Sequence, residues 1–319
     1  MPILESTYRP PFGFSNGHVQ TLLAPLWRPV PHVAYTRERI DTPDGDFLDL
    51  DWCRYGLNRI AIVSAGMEGN STRAYVAGMV RALNAAAWDA VAWNYRGCSG
   101  EPNRKLHFYN GGMVEDVQAV VDACLRAGYR TIALVGFSLG GNLLLNYLGR
   151  LGKDVGPEIA AAVAISAPID VADCADQLNR TAGRLYTKLF LRSFRKKIRE
   201  KMKLMPDKLT DEGYEQIKTL QEYDVRYSCP HFGFATYPEF YKAVSSRFVI
   251  DRVARPTLVV NARNDPFMGE HCFPVEQAKN NPNLHLEMPA TGGHIGFVTL
   301  PRDGAWWTER RAVEFLCNL

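Results

Sequence analysis

Short apolar runs alternate with amphipathic stretches over most of the chain. RIAIVS (59–64), DAVAWNY (89–95), TIALVG (131–136) and IAAAVAISA (159–167) have the continuous apolar character of strands covered on both faces. Between them, AYVAGMVRALNAAAW (74–88), residues 113–127 and residues 139–151 place apolar side chains three and four positions apart, as a helix with one buried face requires. Strand and helix in alternation predict parallel strands joined by helical crossovers, hence a mostly parallel, doubly wound α/β sheet. Ahead of it, VAYTRERI (33–40) and DFLDLDWC (46–53) flank the turn sequence TPDG and predict an antiparallel hairpin. The first 31 residues are Pro-rich and read as irregular.

The alternation breaks after Pro168. Residues 170–250 are helical and charged in pattern, and strands return only with PTLVVNA (256–262) and LHLEMP (284–289), before a last helix near 304–317. So long a segment between two strands is more than a connection. It predicts a helical cap, 170–250, inserted into a single domain spanning 1–319. Within it, RTAGRLYTKLFLRSFRKKIREKMK (180–203) carries ten Lys or Arg against one Glu; that is +9 in a chain of net charge +3, leaving −6 elsewhere. Tyr186, Phe190, Phe194, Ile198 and Met202 recur every four residues and form one apolar stripe beneath a basic face. A stripe packed on the core with its charges in water is the plainer expectation; attraction to an anionic lipid surface or an acidic substrate is the sharper one.

Composition narrows the partners. With 319 residues and 46% hydrophobic content the chain builds a sizeable core, and a net charge of +3 is too small to indicate nucleic acid. No apolar run reaches membrane-spanning length, and the start, MPILESTYRPPFGFSNG, has neither the basic nor the long apolar region of a signal peptide. Seven cysteines scattered without a C-x-x-C pair read as reduced thiols, which predicts a cytoplasmic protein. His271 and Cys272 adjoin without the further ligands a metal site needs, so no metal is expected.

Chemistry enters at Gly136-Phe137-Ser138-Leu139-Gly140. As three fixed positions, G-x-S-x-G is a weak pattern, but here it joins the strand TIALVG to the helix LGGNLLLNYLGR, the setting of a nucleophile elbow. The tight turn demands very small residues two positions either side of Ser138, and a helix start points backbone N–H groups at the site. A serine hydroxyl reacts only when a base takes its proton. Of seven histidines, His294 lies in the glycine-rich ATGGHIGFV (290–298) after the last strand, whereas His285 lies inside that strand and His18, His107 and His231 lack such a setting. Asp265, in NARNDPFMG (261–269) after PTLVVNA, is the candidate to orient the imidazole, with Glu270 the nearest substitute. The order Ser138, Asp265, His294 is that of α/β-hydrolases. Two backbone amides would stabilise an oxyanion: Leu139, which follows the serine, and Met67, in the loop SAGMEGNS (64–71).

The elbow, with DGDFLDLDW (44–52) and YRGCSGEPNR (95–104), resembles the AB hydrolase 4 family, a branch of the α/β-hydrolases. NGHVQTL (16–22) shares the resemblance without an evident physical role. The run from Asp224 to Asp265 resembles the family signature through Gly233-Phe234, Glu239-Phe240-Tyr241, Ser245, Val253, Pro256, Leu258, Val260 and Asn264. Two positions depart: Ala65 stands where relatives commonly carry a His that supports the oxyanion loop, and Phe240 where Leu or Tyr is usual. The resemblance implies a cofactor-free serine hydrolase of carboxylic, often acyl, esters, with a small-molecule acyl ester as substrate, and the small net charge gives no nucleic-acid partner. An alcohol acyltransferase using the same three residues, and a silent hydrolase fold that binds through its basic cap helix, are the rival readings.

Overall fold

The computed structural model describes residues 2–300 and 304–318. Their strands are β1 (Ile3–Leu4), β2 (Thr36–Asp41), β3 (Phe47–Cys53), β4 (Arg59–Ser64), β5 (Asp89–Asn94), β6 (Thr131–Phe137), β7 (Ile159–Ile165), β8 (Thr257–Val260) and β9 (Leu284–Glu287). They form one sheet in the order β1-β9-β8-β7-β6-β4-β5-β3-β2. Only β2–β3 and β3–β5 are antiparallel; the other pairs are parallel. In the hairpin the register sets Arg37 opposite Asp51 and Arg39 opposite Asp49, and each pair is bidentate at 2.7–2.9 Å. Charged β2 thereby closes the sheet edge with side chains that discourage further pairing.

Helices α1 (Gly17–Trp27), α2 (Ala74–Ala85), α3 (Val114–Arg126) and α4 (Leu139–Leu151) come first. Between β7 and β8 lie α5 (Val171–Asn179), α6 (Arg184–Met202), α7 (Leu220–Tyr223), α8 (Cys229–Phe232) and α9 (Tyr237–Val244). The last two are α10 (Val275–Asn280) and α11 (Trp307–Cys317). The chain steps from β4 out to β5, then returns across β4 to β6 and continues to β7. Right-handed crossovers therefore place α2 on one face and α3 with α4 on the other; α2 packs with α11, and α3 with α4. The reversal falls between β4 and β6, so the loops leaving these two strands stand side by side. That is where a doubly wound sheet opens its ligand crevice.

The expected strands and helices are present with ends shifted by at most three residues, and three elements, β1, α1 and α10, go beyond expectation. β1 adds only two residues to the sheet edge, pairing Ile3 with Leu286, too short to show a period. The supposedly irregular start contains α1, whose N-cap Asn16 accepts from the Val19 amide at 3.1 Å. Pro25 inside this helix and the prolines around it mask its helical pattern.

The insertion also revises the expected basic face. Tyr186 and Ile198 of α6 are buried as the stripe requires. Yet Lys201 is fully buried too, donating to Lys105 O at 2.6 Å and to Asn103 Oδ1. Burial pulls its ammonium down to about 7. Lys197 turns inward beside Glu68, so α6 directs part of its charge at the core.

Candidate active site

β6 ends in a turn whose geometry follows from its smallest residues. Ser138 has φ +52°, a left-handed conformation that costs a non-glycine residue about 1–3 kcal/mol. A Cβ on Gly136 would lie 2.5 Å from Gly140 O, and one on Gly140 would lie 2.5 Å from Ala65 O. Only hydrogen fits at either position. The turn presents Ser138 Oγ 2.8 Å from His294 Nε2, and His294 Nδ1 lies 2.8 Å from Asp265 Oδ2. Asp265 Oδ1 accepts the Phe267 amide at 2.9 Å, which fixes the carboxylate. The Phe267 ring stacks on the imidazole at 4.0 Å. The three sequence candidates, from loops after β6, β8 and β9, thus meet in one hydrogen-bonded chain. Glu270 lies apart and is exposed.

The two candidate amides lie beside this chain. Leu139 opens α4, so its N–H has no intrahelical acceptor. Among the described residues neither Met67 nor Leu139 donates its amide hydrogen to a protein acceptor, and both line the same cavity as Ser138. The loop of Met67 is held by three tyrosines. Tyr75 Oη accepts from the Gly66 amide at 3.0 Å, Tyr95 Oη donates to Ala65 O at 2.7 Å, and Tyr109 Oη accepts from the Glu68 amide at 2.7 Å. Phenol hydroxyls thus hold the backbone of Ala65, Gly66 and Glu68 on either side of Met67.

Several residues that shape the site escaped sequence reasoning. The His294 amide donates to Thr21 Oγ1 at 2.8 Å, the Ile295 amide to Ser166 Oγ at 3.0 Å, and the Gly293 amide to Asn264 Oδ1 at 3.1 Å. Gln20 Oε1 accepts from the Val298 amide at 3.0 Å. NGHVQTL therefore has a physical role: α1 is the shelf on which the histidine loop rests. His18 belongs to it as well, with Nδ1 3.0 Å from Tyr186 Oη on α6.

A cavity of about 150 Å³ opens beside Ser138, walled mainly by apolar side chains of the insertion, among them Leu178, Phe190, Phe194, Tyr223 and Phe240. A cavity of that order lined by apolar groups accepts a hydrocarbon guest. Asp224 and Glu68 are acidic groups in this wall; burial raises the Asp224 carboxyl to about 6, against the Ser228 and Tyr241 hydroxyls that bond it. No group of three or more His, Cys, Asp or Glu side chains among the described residues is placed to hold a metal ion. No helix of the described residues is long and apolar enough to cross a membrane.

A strand-to-helix elbow at the reversal of a doubly wound sheet, with an aspartate and a histidine on later loops, defines an α/β-hydrolase. The family model of the alpha/beta hydrolase fold matches residues 65–301. The chain belongs to that family, in its AB hydrolase 4 branch. It is 31% identical to YheT of Escherichia coli over 96% of this chain and 92% of that one, a relative that carries an esterase assignment. It is 30% identical to the phospholipase ABHD3 of Mus musculus, over 96% of this chain and 75% of the relative. The Pyrococcus furiosus esterase Pf2001 shares the fold, with a TM-score of 0.59 at 17% identity over 97% and 99% of the two chains.

Proposed function

We propose that the protein is a serine hydrolase of carboxylic acyl esters, one hydrolase domain over 1–319 with residues 170–250 as its cap. The observation that carries this reading is the chain Ser138 Oγ, His294 Nε2 and Nδ1, Asp265 Oδ2, with both links at 2.8 Å, at the mouth of an apolar cavity. Ser138 Oγ attacks the ester carbonyl carbon while His294 Nε2 takes the hydroxyl proton. Asp265 holds the imidazole and stabilises its charged form. The Met67 and Leu139 amides receive the oxyanion. The carbon–oxygen bond to the alcohol breaks as His294 returns the proton to the leaving oxygen. Water, deprotonated by His294, then releases the acid and restores Ser138. The ester assignments of the relatives support this substrate class, and the apolar wall of the insertion suits the acyl chain.

A panel of p-nitrophenyl esters from two to sixteen carbons tests the reading. Ser138→Ala is expected to lower kcat by about 10⁴-fold or more and to abolish fluorophosphonate labelling. Unlabelled, well-folded wild-type protein would sink it. Added ethanol separates hydrolysis from acyl transfer: mainly ethyl ester with little free acid selects the acyltransferase.

A specific observation also favours contact with an anionic lipid surface through residues 180–203. Leu185 and Leu189 of α6 are about half exposed, at 53% and 52%. Beside them Arg184, Lys188 and Arg192 are exposed at four-residue spacing, the alternation of leucine and cation that suits a lipid interface.

A further inference from the structure

Glu68, immediately after Met67, has no role in the chemistry above, yet it is the most heavily restrained residue of its loop. Its φ of +61° is left-handed, where only glycine sits without cost. Tyr109 Oη accepts its amide at 2.7 Å and donates to its Oε1 at 2.8 Å. Arg73 Nη2 donates to its carbonyl at 2.9 Å. The remaining restraints come from the insertion: Lys197 Nζ reaches Glu68 Oε1 at 2.7 Å, and Ser193 Oγ donates to Oε2. Ser193 and Lys197 are one turn apart on α6, the helix whose Phe190 and Phe194 line the cavity.

The ion pair is enclosed, with side-chain exposures of 17% for Lys197 and 10% for Glu68. A buried pair contributes little net stability once desolvation is counted, so its best-attested benefit is a single defined geometry. Burial alone would lower the Lys197 ammonium; Cys98 and Glu68 beside it hold it above the usual lysine value. The lysine is thus a fixed charge gripping a strained residue next to the oxyanion donor.

We propose that Glu68 is a positioning residue: α6, through Ser193 and Lys197, holds its carboxylate and so sets the Met67 amide where the oxyanion forms. This rests on the reading of Met67 as an oxyanion donor. It couples the two ends of the substrate. An acyl chain seated against Phe190 and Phe194 bears on the same helix that fixes the donor at the carbonyl.

Glu68→Gly tests this, because glycine keeps the left-handed backbone accessible while removing the carboxylate that α6 grips, and Lys197→Met removes the same grip without freeing the backbone. On p-nitrophenyl butyrate, kcat is expected to fall tenfold or more while KM changes less than threefold. Affinity for a trifluoromethyl ketone, which adds Ser138 Oγ to its carbonyl and places an oxyanion in the same donors, should weaken by a similar factor. Lys197→Met should reproduce the loss, whereas Lys196→Met, which removes a neighbouring α6 charge that does not touch Glu68, should match wild type. Retention of kcat and inhibitor affinity within twofold in Glu68→Gly overturns the proposal, even if its Tm falls. Ser138→Ala separates the two readings: a dead Ser138→Ala beside an active Glu68→Gly overturns the grip alone, and an active Ser138→Ala overturns both.

Discussion

At the scale of single residues, the site is a problem of space solved by absent atoms. Gly136 and Gly140 leave no room for a methyl group, and that constraint is local enough to be legible in G-x-S-x-G once the strand and helix around it are recognised. Gly136→Ala would drive a Cβ into Gly140 O, an overpacking that costs about 1–3 kcal/mol. The expected result is a Tm lower by several degrees and a fluorophosphonate labelling rate at least tenfold slower, since the turn that aims Ser138 is the part that must move. Thermal unfolding beside labelling kinetics reads both; a labelling rate equal to wild type would show that the turn tolerates the methyl. The tyrosines around Met67 were not legible in the same way. Tyr75, Tyr95 and Tyr109 lie far from Gly66 in sequence or on other elements, and nothing in their neighbours distinguishes them from ordinary core aromatics.

At the scale of elements, helices α1 and α9 show how motifs without local meaning acquire one. NGHVQTL packs its Thr21 hydroxyl against the histidine loop more than 270 positions away, so no window of the chain contains both partners. The signature residues Asp224 and Tyr241 likewise bond to each other, at 2.8 Å, across the π-helical turn Asp224–Ser228 and α9. Because burial raises the Asp224 carboxyl to about 6 from 3.8, the folded state binds more protons than the unfolded state between those values. The stability this group contributes is full below about pH 4 and is lost as pH rises through 6. Asp224→Asn, which has no charge to bury, should therefore gain on wild type by up to about 3 kcal/mol between pH 4 and pH 7. Urea unfolding of both proteins at the two pH values measures the difference; a gap that does not change with pH would refute the burial argument.

At the scale of the whole molecule, α6 stands between two environments. Phe190, Phe194 and Lys197 face the cavity, while Leu185, Leu189, Arg184, Lys188 and Arg192 face outward. If the outward face meets anionic lipid, each basic residue near the surface is worth about 1 kcal/mol. Arg184→Glu with Lys188→Glu should then reduce partition onto phosphatidylglycerol vesicles at least tenfold, read by co-sedimentation, and leave hydrolysis of a soluble short-chain ester unchanged. Equal sedimentation of variant and wild type would return α6 to the plainer reading of solvated charge. All of the sheet but its two-residue edge strand β1, its crossovers, the elbow and the three loop residues beside it were legible along the chain, because hydrophobic period and turn sterics act over a few neighbours. What α1 supports, which lysines of α6 turn inward, and how Glu68 joins the insertion to the loop of Met67 emerge only when the chain is folded. Those contacts pair residues more than ninety positions apart, and their geometry exists only once the sheet has brought its loops to one edge.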